Sequence, residues 1–460
     1  MYVSRARLRD VKCFRDVELR FQSAAMGTRD RQSNWNVILG ENGDGKTTLL
    51  QGIAACLMDA KTADRTIKPT HWLRRGAKIA GLEATIVPEQ GDLSVGRPQK
   101  DRPEDRIVQY MILPPGGGPS HSYLATAEIA EARPEYGPLF DGGYDRFATD
   151  IEFLKRNAFE RKEKKGWFSA GYGPFRRLSG FSSTTVTVDD PLEKRFLTLF
   201  EEGAALFDCE GWLKELDRKG RKGAAWRAVF EESKEIVTKL LPQIDEIRVE
   251  EEVRFLWRGE ETSLGHLSDG YRSMFALAVD VLRWLELSRA DPKVPLDECR
   301  GVVLIDEIDA HLHPKWQRQA GFLLCETFPN LQFIVTSHSP FVAMAAGEGA
   351  LTLLEREEDV VGARQDLPYV RGWAVDHVLS QLFGLVSLRD PETESKLERY
   401  EDLRIKHRRH HLKGDETREL ADLETYLGER LRGEPDSPKH RQLDEDLALL
   451  AQARKEHEGT

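Results

Sequence analysis

Gly40-Glu41-Asn42-Gly43-Asp44-Gly45-Lys46-Thr47-Thr48 has the spacing GxxxxGK[ST], a loop able to cradle phosphates. Gly40, Gly43 and Gly45 let the backbone curl so that its N–H groups face an anion, and a helix starting at Lys46 or Thr47 would aim its positive end at the same point. Lys46 is placed to reach the β- and γ-phosphates of a nucleoside triphosphate, and the Thr47 hydroxyl to hold Mg2+. Val302-Val303-Leu304-Ile305-Asp306-Glu307 is an apolar run that ends in two acids. Asp306 can bind a metal or its water, and Glu307 can orient or polarise an attacking water. Acids at a strand exit are common, so this pair gains meaning only behind a phosphate loop.

Two further groups could complete the chemistry. Leu267-Ser268-Asp269-Gly270-Tyr271-Arg272 precedes a long apolar stretch. The plainer reading makes Ser268 a helix N-cap. A serine hydroxyl, a glycine and a helix N-terminus also make an anion site. Because the phosphate loop already holds a γ-phosphate from one side, Ser268 and Gly270 suit the same phosphate from a second copy of the chain. His338, in Thr336-Ser337-His338-Ser339-Pro340, follows another apolar run and could hydrogen-bond the γ-phosphate or its attacking water. Lone histidines are usually structural; the position of this one, one strand after Asp306-Glu307, favours the site.

These residues need a sheet that delivers them to one edge. Asn36 to Leu39 reads as a strand running into the glycine loop, and Thr47 to Leu57 as the helix after it. Arg300 to Ile308 and Leu331 to Thr336 read as buried parallel strands. Tyr2 to Phe21 alternates as two strands about a turn. Leu82 to Val87, Arg106 to Leu113 and Trp167 to Pro174 are strand-like, with Pro114 to Pro119 a loop. Pro191 to Leu241 reads helical with a break at Lys219 to Gly223, Ile244 to Trp257 as strands, and Tyr271 to Leu287 as a buried helix. Beyond Trp373 the chain turns helical and polar.

The 460 residues carry a formal net charge of −11, with 32% charged and 8% aromatic residues, which argues against a uniformly basic nucleic-acid coat. Basic stretches at Lys155 to Lys165, Lys214 to Lys222 and Arg404 to Lys413 each read more simply as solvated faces. His407, His410 and His411 in the last could hold a metal, though a surface helix or partner face fits better. No apolar run reaches the roughly 20 residues of a membrane span, and the N-terminus lacks the build of a secretory signal. Cys13, Cys56, Cys209, Cys299 and Cys325 are dispersed, without a disulfide or zinc spacing. A cytoplasmic protein is expected, without a membrane partner.

In this order, the motifs resemble the ATP-binding-cassette ATPases, on the RecF, SMC and OLD side of that class. LSDGYRS, Trp316, and Gly372-Trp373-Ala374-Val375-Asp376 followed by Leu382-Phe383-Gly384 narrow the resemblance to stand-alone ATPases similar to the PtuA component of Septu and retron antiphage systems. The resemblance implies an α/β fold: an ABC-type head with a mixed, mainly parallel P-loop sheet, an antiparallel β subdomain and a helical lobe, plus a C-terminal helical tail. The expected head is 1–372, with a variable insertion at about 60–260, and the tail is 373–460. It also implies ATP and Mg2+ as ligands. Gly40 to Thr48 becomes Walker A, Ser268 to Gly270 the signature, Asp306 the Walker B acid and Glu307 the catalytic glutamate. Asp309 becomes the residue at the dimer seam and His338 the switch histidine.

Two positions depart from that family. Asp269 and Tyr271 stand where its signature has glycine and glutamine, so Asp269 must point away from the γ-phosphate. The Q-loop stays open among Gln90, Gln109 and the Gly171-Tyr172-Gly173 turn. The reading is an ATP-hydrolysing homodimeric switch, open to higher oligomers, that acts in antiphage defence on DNA or through a partner nuclease of HNH type. The tail would dock that partner; its charged helices lack the acidic motifs of a built-in TOPRIM nuclease. A RecF-like repair ATPase and a non-hydrolysing scaffold are the alternatives. A transporter subunit is disfavoured by the long gap from Thr48 to Leu267.

Overall fold

The computed structural model describes residues 1–27, 30–58, 60–67, 71–77, 80–87, 106–112, 168–176, 191–289, 291–385, 387–409 and 413–431. Two compact units are present, one spanning Met1–Val378 and the other beginning at Leu379.

In the first unit a six-stranded sheet has the order β13-β12-β3-β11-β10-β6. Its strands are β3 (Trp35–Leu39), β6 (Ser169–Tyr172), β10 (Gly301–Ile305), β11 (Leu331–Ser337), β12 (Leu351–Glu357) and β13 (Val360–Arg364). All neighbours are parallel except β12 and β13. Every residue of β3, β10 and β11 is buried, as expected of central parallel strands covered on both faces. Parallel strands bring their carboxyl ends to one edge, the usual ligand edge of an α/β sheet. The loop after β3, the acids after β10, the histidine after β11 and the turn after β6 all leave from there.

A four-stranded antiparallel sheet, β2-β1-β4-β5, lies beyond helix α1 (Lys46–Leu57). It comprises β1 (Tyr2–Val11), β2 (Phe14–Arg20), β4 (Ala80–Val87) and β5 (Arg106–Ile112). Leu8, Leu82 and Ile53 share one core with Ile38, Leu304 and Ile334, so α1 is packed between the two sheets. A Cβ on Gly52 would already lie 3.2 Å from Leu8, which is how closely the helix approaches β1.

After α2 (Ala60–Thr66), the helical lobe holds α3 (Pro191–Phe200), α4 (Cys209–Gly220), α5 (Ala224–Leu240) and α6 (Asp269–Ser288). A three-stranded sheet, β7 (Ile244–Val249), β8 (Val253–Trp257) and β9 (Glu260–Ser263), leads into α6. Phe255 meets Phe275 edge-on at 5.1 Å, and Trp257 meets Tyr271 at 4.3 Å. Helices α7 (Pro314–Thr327), α8 (Pro340–Ala343) and α9 (Val375–Leu382) follow the strands.

The second unit contains the polar helices α10 (Pro391–Arg408) and α11 (Gly414–Leu431). They run antiparallel over Tyr400, Leu403, Leu420 and Leu427, flanked by the pairs Arg399–Glu419 (2.8 Å) and Lys406–Glu416 (2.7 Å). The α/β class is therefore present, and the parallel core is where the sequence put it. Strands β9, β12 and β13 were not anticipated. The basic stretch at 155–165, the loop at 114–119, Gln90, His410 and His411 lie outside the described residues.

Candidate functional site

The loop Gly40 to Gly45 leaves the end of β3 and feeds α1. Gly43 (φ 89°) and Gly45 (φ 83°) adopt left-handed backbone. Gly45 has a second reason to be glycine: a Cβ there would lie 2.6 Å from Cys13 Sγ and 2.8 Å from the Phe14 ring. Glu41 and Asn42 are exposed at the loop crest, while Thr48 is buried at its base. Asp44 is 4% exposed. Its carboxylate accepts from Glu41 N (2.8 Å) and from Arg356 Nε of β12 (3.1 Å), and Arg356 also donates to the Gly43 carbonyl. Lys46 Nζ turns back to the carbonyls of Gly40 (3.0 Å) and Glu41 (2.9 Å). Burial lowers the Lys46 pKa, opposed by the charges of Glu307, Asp306, Asp44 and Asp309. Those opposing charges show that the acidic turn and the loop share one neighbourhood.

The link is direct at Thr47, whose Oγ1 donates to Asp306 Oδ2 at 2.6 Å. Thr336 Oγ1 donates to the other oxygen, Asp306 Oδ1, and accepts from Glu307 N at 2.7 Å. Glu307 has φ 44°, a left-handed geometry unusual for a side chain of its size. A hydroxyl and a carboxylate in contact are hard oxygen donors of the kind Mg2+ takes, alongside phosphates and water. Among the described residues no group of three His, Cys, Asp or Glu side chains could hold a metal; Thr47 and Asp306 offer such a donor pair beside the loop. His338 Nε2 and Asp309 Oδ1 are buried and lack a hydrogen-bond partner among the described residues. Such atoms are costly unless a ligand meets them.

The signature residues form a separate wall. Ser268 sits at the N-cap of α6, yet its side chain makes no capping hydrogen bond. The capping bond expected on the plainer reading is therefore absent. Asp269 is 72% exposed and pairs with Arg272, so its charge turns outward along its own helix. Tyr271, the other departure, is clasped between Trp257 and Trp316 (4.3 and 4.7 Å), fixing the start of α6. Gly270 is needed within the chain itself, because a Cβ would come 2.9 Å from the His311 carbonyl oxygen. Ser268, Gly270, Tyr271, His311, His313 and Trp316 line a cavity of ≈ 790 Å³.

Sequence reasoning overlooked Arg356, Thr336 and Arg176. Thr336 stood inside a quoted motif without a role. Nothing local marked Arg356, 312 residues from the aspartate it binds. Of the Q-loop candidates, Gln109 lies within β5 of the antiparallel sheet, whereas the Gly171-Tyr172-Gly173 turn leaves the ligand edge beside β10.

Fold and loop define a P-loop nucleotide-binding domain. Two family models match it: "AAA domain" over residues 5–96 and "AAA domain, putative AbiEii toxin, Type IV TA system" over residues 120–345. The two matches lie in separate blocks, the first taking in Gly40 to Thr48 and the second Asp306, Glu307 and His338. It is 27% identical over 413 residues to the Septu protein PtuA of Bacillus mycoides (strain KBAB4), covering 87% of this chain and 47% of that protein. It is 23% identical over 355 residues to the Retron Vc95 probable ATPase of Vibrio cholerae serotype O1 biovar El Tor, covering 68% and 67%. The chain thus spans about half the length of that PtuA. Among solved structures, an SmcHead bound to the C-winged helix domain of ScpA aligns with a TM-score of 0.47 and 16% identity, over 79% of this chain and 98% of that one. Among the described residues no helix is long and apolar enough to cross a membrane.

Proposed function

We propose that this chain is an Mg2+-dependent ATPase that works as an ATP-gated homodimer in prokaryotic antiphage defence. The Thr47–Asp306 contact of 2.6 Å, with Glu307 next in sequence, carries this reading. Lys46 and the amides of Gly40 to Thr48 bind the triphosphate, and Thr47 and Asp306 hold the metal. Bound there, Mg2+ neutralises charge on the phosphates. Glu307 accepts the proton of the attacking water as its oxygen bonds to the γ-phosphorus and the bond to ADP breaks. His338 Nε2 and Asp309 Oδ1, both buried and without a hydrogen-bond partner among the described residues, are suited to hold the γ-phosphate or water and to meet the second protomer. Ser268 and Gly270 close over the phosphate bound by that protomer.

Relatives named for Septu and retron systems support the defence role, in which the closed dimer controls a partner nuclease of HNH type or its engagement of DNA. Truncation after Trp373 should release that partner; if every co-purifying protein stays bound, the tail is not its dock. Steady-state phosphate release tests the core of the reading. The parent should turn over ATP, chelation of divalent cations should stop it, and Lys46→Ala should not bind ATP. A parent that binds ATP without sustained release is a nucleotide-dependent scaffold instead.

A further inference from the structure

Arg176, in the turn after β6, is buried and uses all five N–H groups of its guanidinium. Nε donates to Ser273 Oγ on α6 at 3.0 Å. Nη1 donates to the carbonyls of Gly173 (3.3 Å) and Asp306 (3.0 Å), and Nη2 to those of Glu307 and Ile308 (both 3.3 Å). A buried cation held by carbonyls rather than by a carboxylate costs stability, and burial pulls its pKa down to about 10. The fold keeps it nonetheless.

Its partners explain what it can do. The turn 306–308 is gripped from the opposite side by Thr336, whose Oγ1 takes Glu307 N and whose carbonyl takes Ile308 N at 3.1 Å. Between them, Thr336 and Arg176 hold the backbone that keeps Glu307 left-handed. Arg176 alone also reaches α6, the helix headed by Ser268 and Gly270. A second tie runs parallel to it, from Tyr172 Oη on β6 to Asp280 Oδ2, further along α6 (3.0 Å).

We propose that Arg176 is a positioning residue that couples α6 to the backbone of Glu307. The inference rests on the reading of Glu307 given above. When a second copy engages Ser268, a shift of α6 draws on Ser273, and Arg176 carries the carbonyls of the acidic turn with it. Lysine offers three donors at one point and cannot span these five acceptors.

Ser273→Ala cuts only the α6 arm and leaves the four carbonyl contacts, so it tests the coupling without dismantling the turn. Parent, Ser273→Ala, Arg176→Lys, the double variant and Glu307→Gln are compared by ATP titration and steady-state phosphate release. The expected result is an ATP Kd within about twofold of the parent, with kcat lower by roughly tenfold in Ser273→Ala and about 100-fold in Arg176→Lys. The double variant should be no slower than Arg176→Lys, because the two residues act along one path. Parental kcat in Ser273→Ala, or losses that multiply, overturns the coupling. So does a loss of ATP binding in step with kcat, as plain destabilisation would give. Should Arg176→Lys fail to fold, the kcat-against-Kd split of Ser273→Ala decides alone. Parental turnover in Glu307→Gln would instead sink the reading of Glu307 beneath it.

Discussion

The P-loop and the head of α6, the two halves of the proposed nucleotide site, differ in how far their polar groups are engaged within the chain. In the loop, Asp44 is clamped by Glu41 N and Arg356, Lys46 folds onto two carbonyls, and Thr47 bonds Asp306. At the head of α6, Ser268 makes no cap bond and Asp269 turns away. Its backbone is nonetheless rigidly set, by the Trp257–Tyr271–Trp316 stack and the tight seat of Gly270 on His311. One half is complete within its own chain. The other leaves its hydroxyl without a cap bond, as the proposed dimer would require of a surface whose ligand arrives on another molecule.

Breaking the finished half should have the largest effects. Glu307→Gln should lower kcat by about 10²- to 10⁴-fold while ATP binding persists and closed dimers accumulate on light scattering. Parental turnover would remove Glu307 from the chemistry. The underside of α6 offers a different lever. Burial raises Asp280, which accepts from Tyr172, to a pKa of about 6 against an ordinary 3.8. A carboxyl raised in the folded state binds more protons there than when unfolded. Its stabilising contribution is therefore complete below about pH 4 and lost as the pH climbs through 6. Compared with Asp280→Asn in denaturant titrations, the parent should lose about 2 kcal/mol between pH 4 and pH 7. Parallel pH profiles for the two proteins would show that Asp280 does not titrate this way.

Arg356→Ala should have a smaller effect, raising the Kd for ATP by roughly tenfold, the value of one charge-assisted bond. Its kcat at saturating ATP should stay near the parental value. An unchanged Kd would mean that the loop holds its shape without β12.

What the sequence made legible follows the range of the interactions. The glycines and Lys46 act within one turn of chain, so spacing alone exposes them. Asp306-Glu307 and His338 could be placed at one edge because each follows a largely apolar strand, and parallel strands deliver their ends together. Arg356 and Arg176 were not legible, since each acquires its role from residues about a hundred or more positions away, 312 for Arg356 and Asp44 and 97 to 132 for Arg176 with Ser273 and the acidic turn. β12 ends in the exposed, charged run Glu355-Arg356-Glu357, and the edge strand β13 carries exposed Gly362 and Arg364, which diluted their strand pattern. Ser268 was read correctly as an N-cap in position, but only coordinates could reveal that its hydroxyl does not cap. Tyr271 seemed a defect in the signature and is instead the centre of an aromatic clasp.

In the proposed dimer a working nucleotide site takes its Lys46 from one protomer and its Ser268 from the other. Lys46→Ala and Ser268→Arg proteins, each inactive alone, can be mixed in equal amounts and assayed for phosphate release. Random exchange should restore about a quarter of the parental rate, since half the dimers then hold one intact site of two. If the mixture stays inactive although both variants fold and associate, the site is not shared between chains.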